Sequence, residues 1–181
     1  MSGGKYPVRA EGPGDEARIR EVIERAFGQS AEADIVDELR RACPKCLSLV
    51  ALDEDGEIIG HVLFSPVEAW PADGAAPLPD LAGMGLGPLA VLPERQRQGV
   101  GTALVERGIA LLRVRQCPFL IVLGHPDYYP RFGFEPASVH GLRAQWEGVP
   151  DEAFMVLALD VQALDGIDGV ARYRPEFDAA V

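Results

Sequence analysis

The stretch from Leu89 to Thr102 constrains this chain more than any other. An apolar run ending in Leu89, Ala90 and Val91 reads as a buried strand, and Pro93 and Glu94 close it. Gln96, Arg97, Gln98, Gly99, Val100, Gly101 and Thr102 then lead into a helical pattern, giving a strand, a glycine-bearing turn and a helix start. A helix start leaves backbone N–H groups without partners and carries the positive end of the peptide dipole, so it suits an anion. Glycines at 99 and 101 let that backbone approach a phosphate with no Cβ in the way, and Arg95 and Arg97 add full positive charge. Two familiar phosphate-binding patterns fail here. A dinucleotide fingerprint needs a third glycine where Leu104 stands, and a P-loop needs a Lys-Ser or Lys-Thr pair that these letters lack.

A second stretch lies one helix and one strand further on. Phe119 to Leu123 reads as a short strand, followed by Gly124, His125, Pro126, Asp127, Tyr128, Tyr129, Pro130, Arg131, Phe132, Gly133 and Phe134. Asp127 is placed to cap a short helix carrying Tyr128 and Tyr129, and Pro130 falls in its first turn, where a missing N–H costs little. Gly133 is placed to end that helix in a left-handed conformation.

Gln96-x-x-Gly99-x-Gly101 after Leu89-Ala90-Val91 resembles the acyl-CoA signature of the GCN5-related N-acetyltransferase (GNAT) family. Tyr129-x-Arg131-x-Gly133-Phe134 resembles that family's second signature, and the spacing between the two blocks fits. The runs Gly60 to Val67 and Gly169 to Phe177 are similar to the YhbS-type branch of predicted N-acetyltransferases. The resemblance covers most of the chain, with its specific motifs concentrated in residues 89 to 134. It implies an α/β (α+β) GNAT fold: a mixed, mostly antiparallel central sheet splayed between strands 4 and 5, with helices on both faces. It also implies acetyl-CoA as co-substrate and no metal. The turn's amides would hold the CoA pyrophosphate, and the splayed edge would take the pantetheine arm. Leu89, Ala90, Val91, Gln96, Arg97, Gln98, Gly99, Val100, Gly101 and Thr102 are thus the expected cofactor-binding residues. An Asn that usually contacts CoA in this family is not visible.

An anionic cofactor needs local positive features, because the chain as a whole carries a formal charge of -11. That field repels nucleic acid and anionic membrane, so neither is expected as a partner. The arginines at 95, 97, 107, 113, 115 and 131 all fall in the motif region. With 181 residues, 48% of them hydrophobic, a single domain over 1–181 is expected, as monomer or homodimer. No apolar run approaches the ~18 residues of a membrane span, and Met1 to Ala10 lacks a signal-peptide core, so the expected location is the cytoplasm. Cys43-Pro44-Lys45-Cys46 has no second ligand pair at zinc spacing and Cys117 stands alone, which favours helix-end cysteines without metal or redox work.

Along the chain, a strand over Tyr6 to Ala10 is expected. A helix capped by Asp15 follows, with Ala17, Ile19, Val22, Ile23, Ala26 and Phe27 inward, and then a helix over Ala31 to Ala42. Leu47 to Leu52 and Glu57 to Val67 read as strands around a turn at Asp53 to Gly56. His61 reads as a packed strand residue rather than a catalyst. Trp70 to Asp80 reads as a long loop, either at a substrate mouth, at a subunit contact or without a role. Glycines 83, 85 and 87 with Pro88 suggest a bulge near the end of the central strand. A helix from about Gly101 to Arg115 and a last clear strand at Phe154 to Leu159 complete the pattern.

Acetyl transfer from a thioester to an amine needs a neutral amine, a polarised carbonyl and a proton for the departing thiolate. Tyr129 stands at the family's general-acid position, where a phenol of pKa ~10 donates to a thiolate of pKa ~8.5. No carboxylate lies in Ala82 to Val91, which leaves solvent, His125 or Asp127 as the base. The sequence supports an N-acetyltransferase acting on a small-molecule or peptide amine. Its alternatives are a non-catalytic acyl-CoA-binding or regulatory module and a partner-binding domain. Glu32, Glu147 and Asp151 lean toward a cationic amine, against the background of an acidic protein.

Overall fold

Residues 6–72, 74, 76–78 and 81–178 are described by the computed structural model. They divide into two units, residues 6–64 with 87–111 and residues 65–86 with 112–178.

The first unit holds β1 (Val8–Ala10), β2 (Leu47–Leu52), the start of β3 (Ile58–Pro71) and the end of β4 (Ala82–Val91). It also holds α1 (Glu16–Phe27), α2 (Ala31–Ala42) and most of α3 (Val100–Val114). Strands β1, β2 and β3 pair antiparallel, with Arg9 opposite Val50 and Val50 opposite His61. The helical spacing of Ile19, Val22 and Ile23 on α1 and of Ile35, Val36 and Leu39 on α2 buries one stripe of each. Gly28 separates the two helices in a left-handed conformation, its N–H donating to the Glu24 carbonyl at 2.8 Å.

Close approach fixes which helix covers which face of β3. A Cβ on Gly60 would lie 2.8 Å from Val100 Cγ1, and one on Gly108 would collide with the Phe64 ring. Thus α3 sits tight on the Gly60 and Phe64 face. His61 points to the other face, where its Nε2 lies 2.8 Å from Ser48 Oγ. There Glu11 takes the Ser48 hydroxyl and the Arg40 Nε of α2, the latter at 2.6 Å. Helices therefore flank this part of the sheet on both sides, as expected.

The second unit carries the rest of β3 and β4 with β5 (Phe119–Leu123), β6 (Glu135–Pro136), β7 (Leu142–Ala144), β8 (Phe154–Ala158) and β9 (Gly169–Arg172). Its strand order is β7-β9-β3-β4-β5-β8-β6. Pairs β3–β9, β5–β8 and β6–β8 are antiparallel, while β4–β5 and β7–β9 are parallel. Val67, Phe119, Ile121, Phe154, Val156 and Tyr173 build its core.

Several local expectations are corrected. Ala17 and Phe27, both expected inward, are exposed, Phe27 to 42% at the last position of α1. Asp15 stands at the N-cap but makes no side-chain cap; Arg9 and the Gly12 N–H take its carboxylate instead. Strand β3 runs on through Trp70 and Pro71, which β9 pairs, so the expected loop starts later. Residues 73, 75, 79 and 80 of that loop lie outside the described residues. Of the three central-strand glycines, only Gly87 has a left-handed φ, 152°, and it follows the last parallel pair, Leu86 with Val122. Gly83 and Gly85 serve packing instead. A Cβ on Gly83 would lie 2.5 Å from Phe119 Cε2, and one on Gly85 would meet the Tyr173 ring and Val67.

Candidate functional site

The glycine turn belongs to the first unit. After Val91 the chain makes a 3-10 turn at Pro93–Arg95, and Gln96 is extended. Arg97 then turns left-handed at φ 58 and Gly99 at φ 96 before α3 starts at Val100. An arginine in that conformation is uncommon and strained by ~1 kcal/mol or more, so the turn's shape is held by its surroundings. Gln96 Nε2 donates to the Val91 carbonyl at 3.1 Å, and Gln98 Nε2 to the Glu94 carbonyl at 2.9 Å. Both amides brace the loop rather than extend from it.

The first helical bond runs from Ala103 N to Gly99 O at 3.0 Å. The N–H groups of Val100, Gly101 and Thr102 therefore precede the ladder and stand at the positive end of α3. Gly99 has open space where a Cβ would sit. Gly101 lies inside the first turn of α3, so the left-handed conformation falls on Arg97 and Gly99. The two expected cations also differ. Arg95 is engaged by Asp53 at 3.4 Å, whereas Arg97 forms no ion pair among the described residues. Leu89 and Val91 on β4 are half-buried, and Ala90 between them is buried. The ten expected cofactor-binding positions thus lie on the end of β4, the turn that follows it and the first turn of α3.

The phenol belongs to the second unit. Tyr129 opens a 3-10 turn, Tyr129–Phe132, and Gly133 closes it at φ 93 with its N–H on the Pro130 carbonyl at 3.0 Å. Tyr128, not Asp127, occupies the N-cap position, and no side chain caps it. The chain is instead turned by His125, whose carbonyl accepts from the N–H groups of Tyr128 at 3.0 Å and Tyr129 at 3.4 Å. The Tyr129 ring is 7% exposed, packed edge-on against Tyr128 at 5.0 Å and Phe134 at 5.7 Å. Its hydroxyl has no hydrogen-bond partner among the described residues. Burial, with a smaller contribution from Tyr128, pushes the phenol above its ordinary pKa, so it stays protonated at neutral pH.

Other candidates fall outside these two features. His125 and Asp127 are exposed. Arg131 stacks over the Tyr128 ring at 4.6 Å and donates from Nε to the Tyr128 carbonyl at 2.9 Å. The acidic residues considered for the acceptor are partly engaged: Gln29 donates to Glu32 at 3.0 Å and Ser138 to Asp151 at 2.9 Å. Cys43 ends α2 as a buried free thiol, and Cys46 follows one turn later. His61, buried completely, is neutral. Burial, helped by the Arg40 charge, pulls its pKa down to about 3. Sequence reasoning missed Gly124, where the Tyr129 ring fills the space a Cβ would take; nothing in the local pattern marks it.

Comparison with known proteins agrees with this geometry. Residues 17–134 match the model of the acetyltransferase (GNAT) family. The N-acetyltransferase YhbS of Escherichia coli strain K12 is 37% identical over 171 residues, 94% of this chain and 98% of that one. Another N-acetyltransferase of that strain, YjhQ, is 44% identical over 126 residues, 68% of this chain and 66% of its own length. The crystal structure of Escherichia coli YhbS in complex with CoA superposes with a TM-score of 0.85 at 37% identity, covering 96% of this chain and 92% of that one. A GNAT-family acetyltransferase from Brucella melitensis in complex with acetyl-CoA gives a TM-score of 0.75 at 37% identity, over 96% and 98% of the two chains. With both signature stretches inside the matched residues and the fold shared over almost its full length, this chain belongs to the GNAT family of N-acetyltransferases.

Proposed function

We propose that the chain uses acetyl-CoA to acetylate a primary amine by direct attack on the thioester, with Tyr129 as the general acid. The observation that carries this reading is a phenol whose ring is buried and held by aromatic neighbours and whose hydroxyl makes no hydrogen bond among the described residues. An unused donor on a fixed ring is suited to a charge that develops only during reaction.

The turn from Gln96 to Thr102 supplies the anchoring. The N–H groups that precede the α3 ladder, the dipole behind them and Arg97, which has no ion pair among the described residues, favour a diphosphate. The CoA-bound and acetyl-CoA-bound relatives support the same ligand here. Backbone amides near Leu89, Ala90 and Val91 would bind the pantetheine and steady the carbonyl oxygen as it gains charge. The amine nitrogen attacks the carbonyl carbon, the C–N bond forms and the C–S bond breaks. Tyr129 gives its proton to the thiolate and recovers one lost by the acylated nitrogen, so the proton count balances. Because the phenol's pKa lies above the ordinary value, its protonated form persists through neutral pH and imposes no basic limb there. The base that first neutralises the amine is solvent, His125 or Asp127, both side chains being exposed. The acceptor is a small-molecule or peptide amine.

The test combines calorimetric titration of acetyl-CoA with thiol release over spermidine, glucosamine, lysine and a lysine-containing peptide. Tyr129→Phe should lower kcat about 100-fold and leave acetyl-CoA affinity within about twofold. Unchanged kcat rejects the acid role. Tight binding with no turnover on any amine supports a non-catalytic acyl-CoA-binding module instead.

A further inference from the structure

We propose that Gly124 is a positioning residue for the Tyr129 phenol: the missing side chain at 124 lets the ring lie against the end of β5 and so sets where its hydroxyl points. The inference rests on the reading of Tyr129 as general acid.

Three observations converge on it. A Cβ built on Gly124 would find its three nearest atoms all in the Tyr129 ring, with Cδ2 at 2.9 Å, Cζ at 3.3 Å and Cε2 nearer than either. No glycine-only backbone conformation explains the residue, because Gly124 is not among the left-handed positions. An L side chain fits the backbone and is excluded by one ring alone. The two partners are also fixed from other directions. Gly124 N–H donates to the Ala153 carbonyl at 2.9 Å, which holds the backbone in place. Tyr128 and Phe134 pack on the ring's remaining sides, and the His125 carbonyl holds the Tyr129 N–H.

A methyl group at 124 therefore has to displace the ring, and ordinary carbon contact near 3.5–4.0 Å requires a shift of about 1 Å. The hydroxyl sits at the far end of that ring and moves with it. Misplacement of this size in a catalytic group costs up to about 100-fold in rate. Gly124 thus acts through Tyr129 and not on the substrate, and its loss should appear in kcat rather than in cofactor affinity.

Four proteins test this: wild type, Gly124→Ala, Tyr129→Phe and the double variant, assayed by thiol release with the same four amines and by acetyl-CoA calorimetry. Gly124→Ala should lower kcat about tenfold or more with acetyl-CoA Kd within about twofold. In the Tyr129→Phe background it should cost nothing further, since the group it misplaces is already gone. Native kcat in Gly124→Ala, or an equal loss in both backgrounds, overturns the inference. Undiminished turnover in Tyr129→Phe removes the acid assignment itself, whereas an impaired Tyr129→Phe beside an unaffected Gly124→Ala removes only the inference. A CoA-bound crystal structure of Gly124→Ala needs no acceptor and decides if no amine turns over: the Tyr129 ring should shift by about 1 Å, and an unmoved ring overturns the proposal. Should Gly124→Ala not fold, adding Tyr129→Leu removes the ring and should restore folding; a failure to restore it also overturns the proposal.

Discussion

At the scale of single residues, burial sets what each titratable group can do. Tyr129 and His61 are both removed from water, and in both the neutral form is favoured. For Tyr129 that keeps the donor proton in place. For His61 it creates a pH liability. Ser48 has one hydroxyl proton and gives it to Glu11, so His61 Nε2 must donate to Ser48 Oγ, which leaves Nδ1 bare and without a partner among the described residues. Protonating Nδ1 would bury a cation beside Arg40. The folded pKa of about 3 lies below the usual 6.5, so this stability is present above pH 6.5 and is lost as pH falls toward 3. Urea unfolding should lose roughly 1–2 kcal/mol between pH 6.5 and pH 5 from this group. In His61→Gln the stability-versus-pH slope over that interval should flatten, whatever the variant's stability at neutral pH. An unaltered slope would show that another group governs acid unfolding.

Among the elements, glycines on β4, α3 and the turn divide into two kinds, and substitution should separate them. Gly85 lies under the Tyr173 ring, whose hydroxyl donates to the Ile121 carbonyl at 3.3 Å, and Gly108 lies under Phe64. Alanine at either position should destabilise folding by about 1–3 kcal/mol through overpacking, read by denaturant midpoint, with acetyl-CoA affinity unchanged in the protein that remains folded. Gly99 has no neighbour where a Cβ would stand, but its φ of 96 is one that L residues avoid. Gly99→Ala should cost roughly 1 kcal/mol of stability and weaken CoA binding about fivefold or more as the turn relaxes, measured by calorimetry. Equal effects of Gly85→Ala and Gly99→Ala on CoA affinity would refute the division. On the proposed reading the strand end and turn bind through backbone atoms, so main-chain geometry should matter there more than side-chain identity.

For the molecule as a whole, a formal charge of -11 means that the proposed polyanionic cofactor would have to be held against the general field by local features. Saturation with CoA at about 100 times its Kd should then raise stability by about 2.7 kcal/mol and Tm by about 5–10 °C. No shift in Tm would count against the turn as a CoA site, and Arg97→Ala should reduce the shift. Sequence alone fixed what depends on neighbours along the chain. It gave α2, β2 and β5 with their observed bounds, the turn that starts α3, and the Tyr129 to Phe134 segment, because local periodicity and turn chemistry specify them. Asp15 and Asp127 misled as caps for the opposite reason: Arg9 claims the first, and the second sits a residue too early. The short strands β6, β7 and β9 carry too few residues for a period to register. Only the tertiary structure decided that Arg95 is spent on Asp53 while Arg97 has no ion pair among the described residues. It also decided that Gly83, Gly85, Gly108 and Gly124 each make room for an aromatic ring. Those rings come from Phe119, Tyr173, Phe64 and Tyr129, and for the first three the ring lies tens of residues away along the chain. Steric exclusion acts through space, and a one-dimensional pattern does not record which surface a missing side chain leaves open.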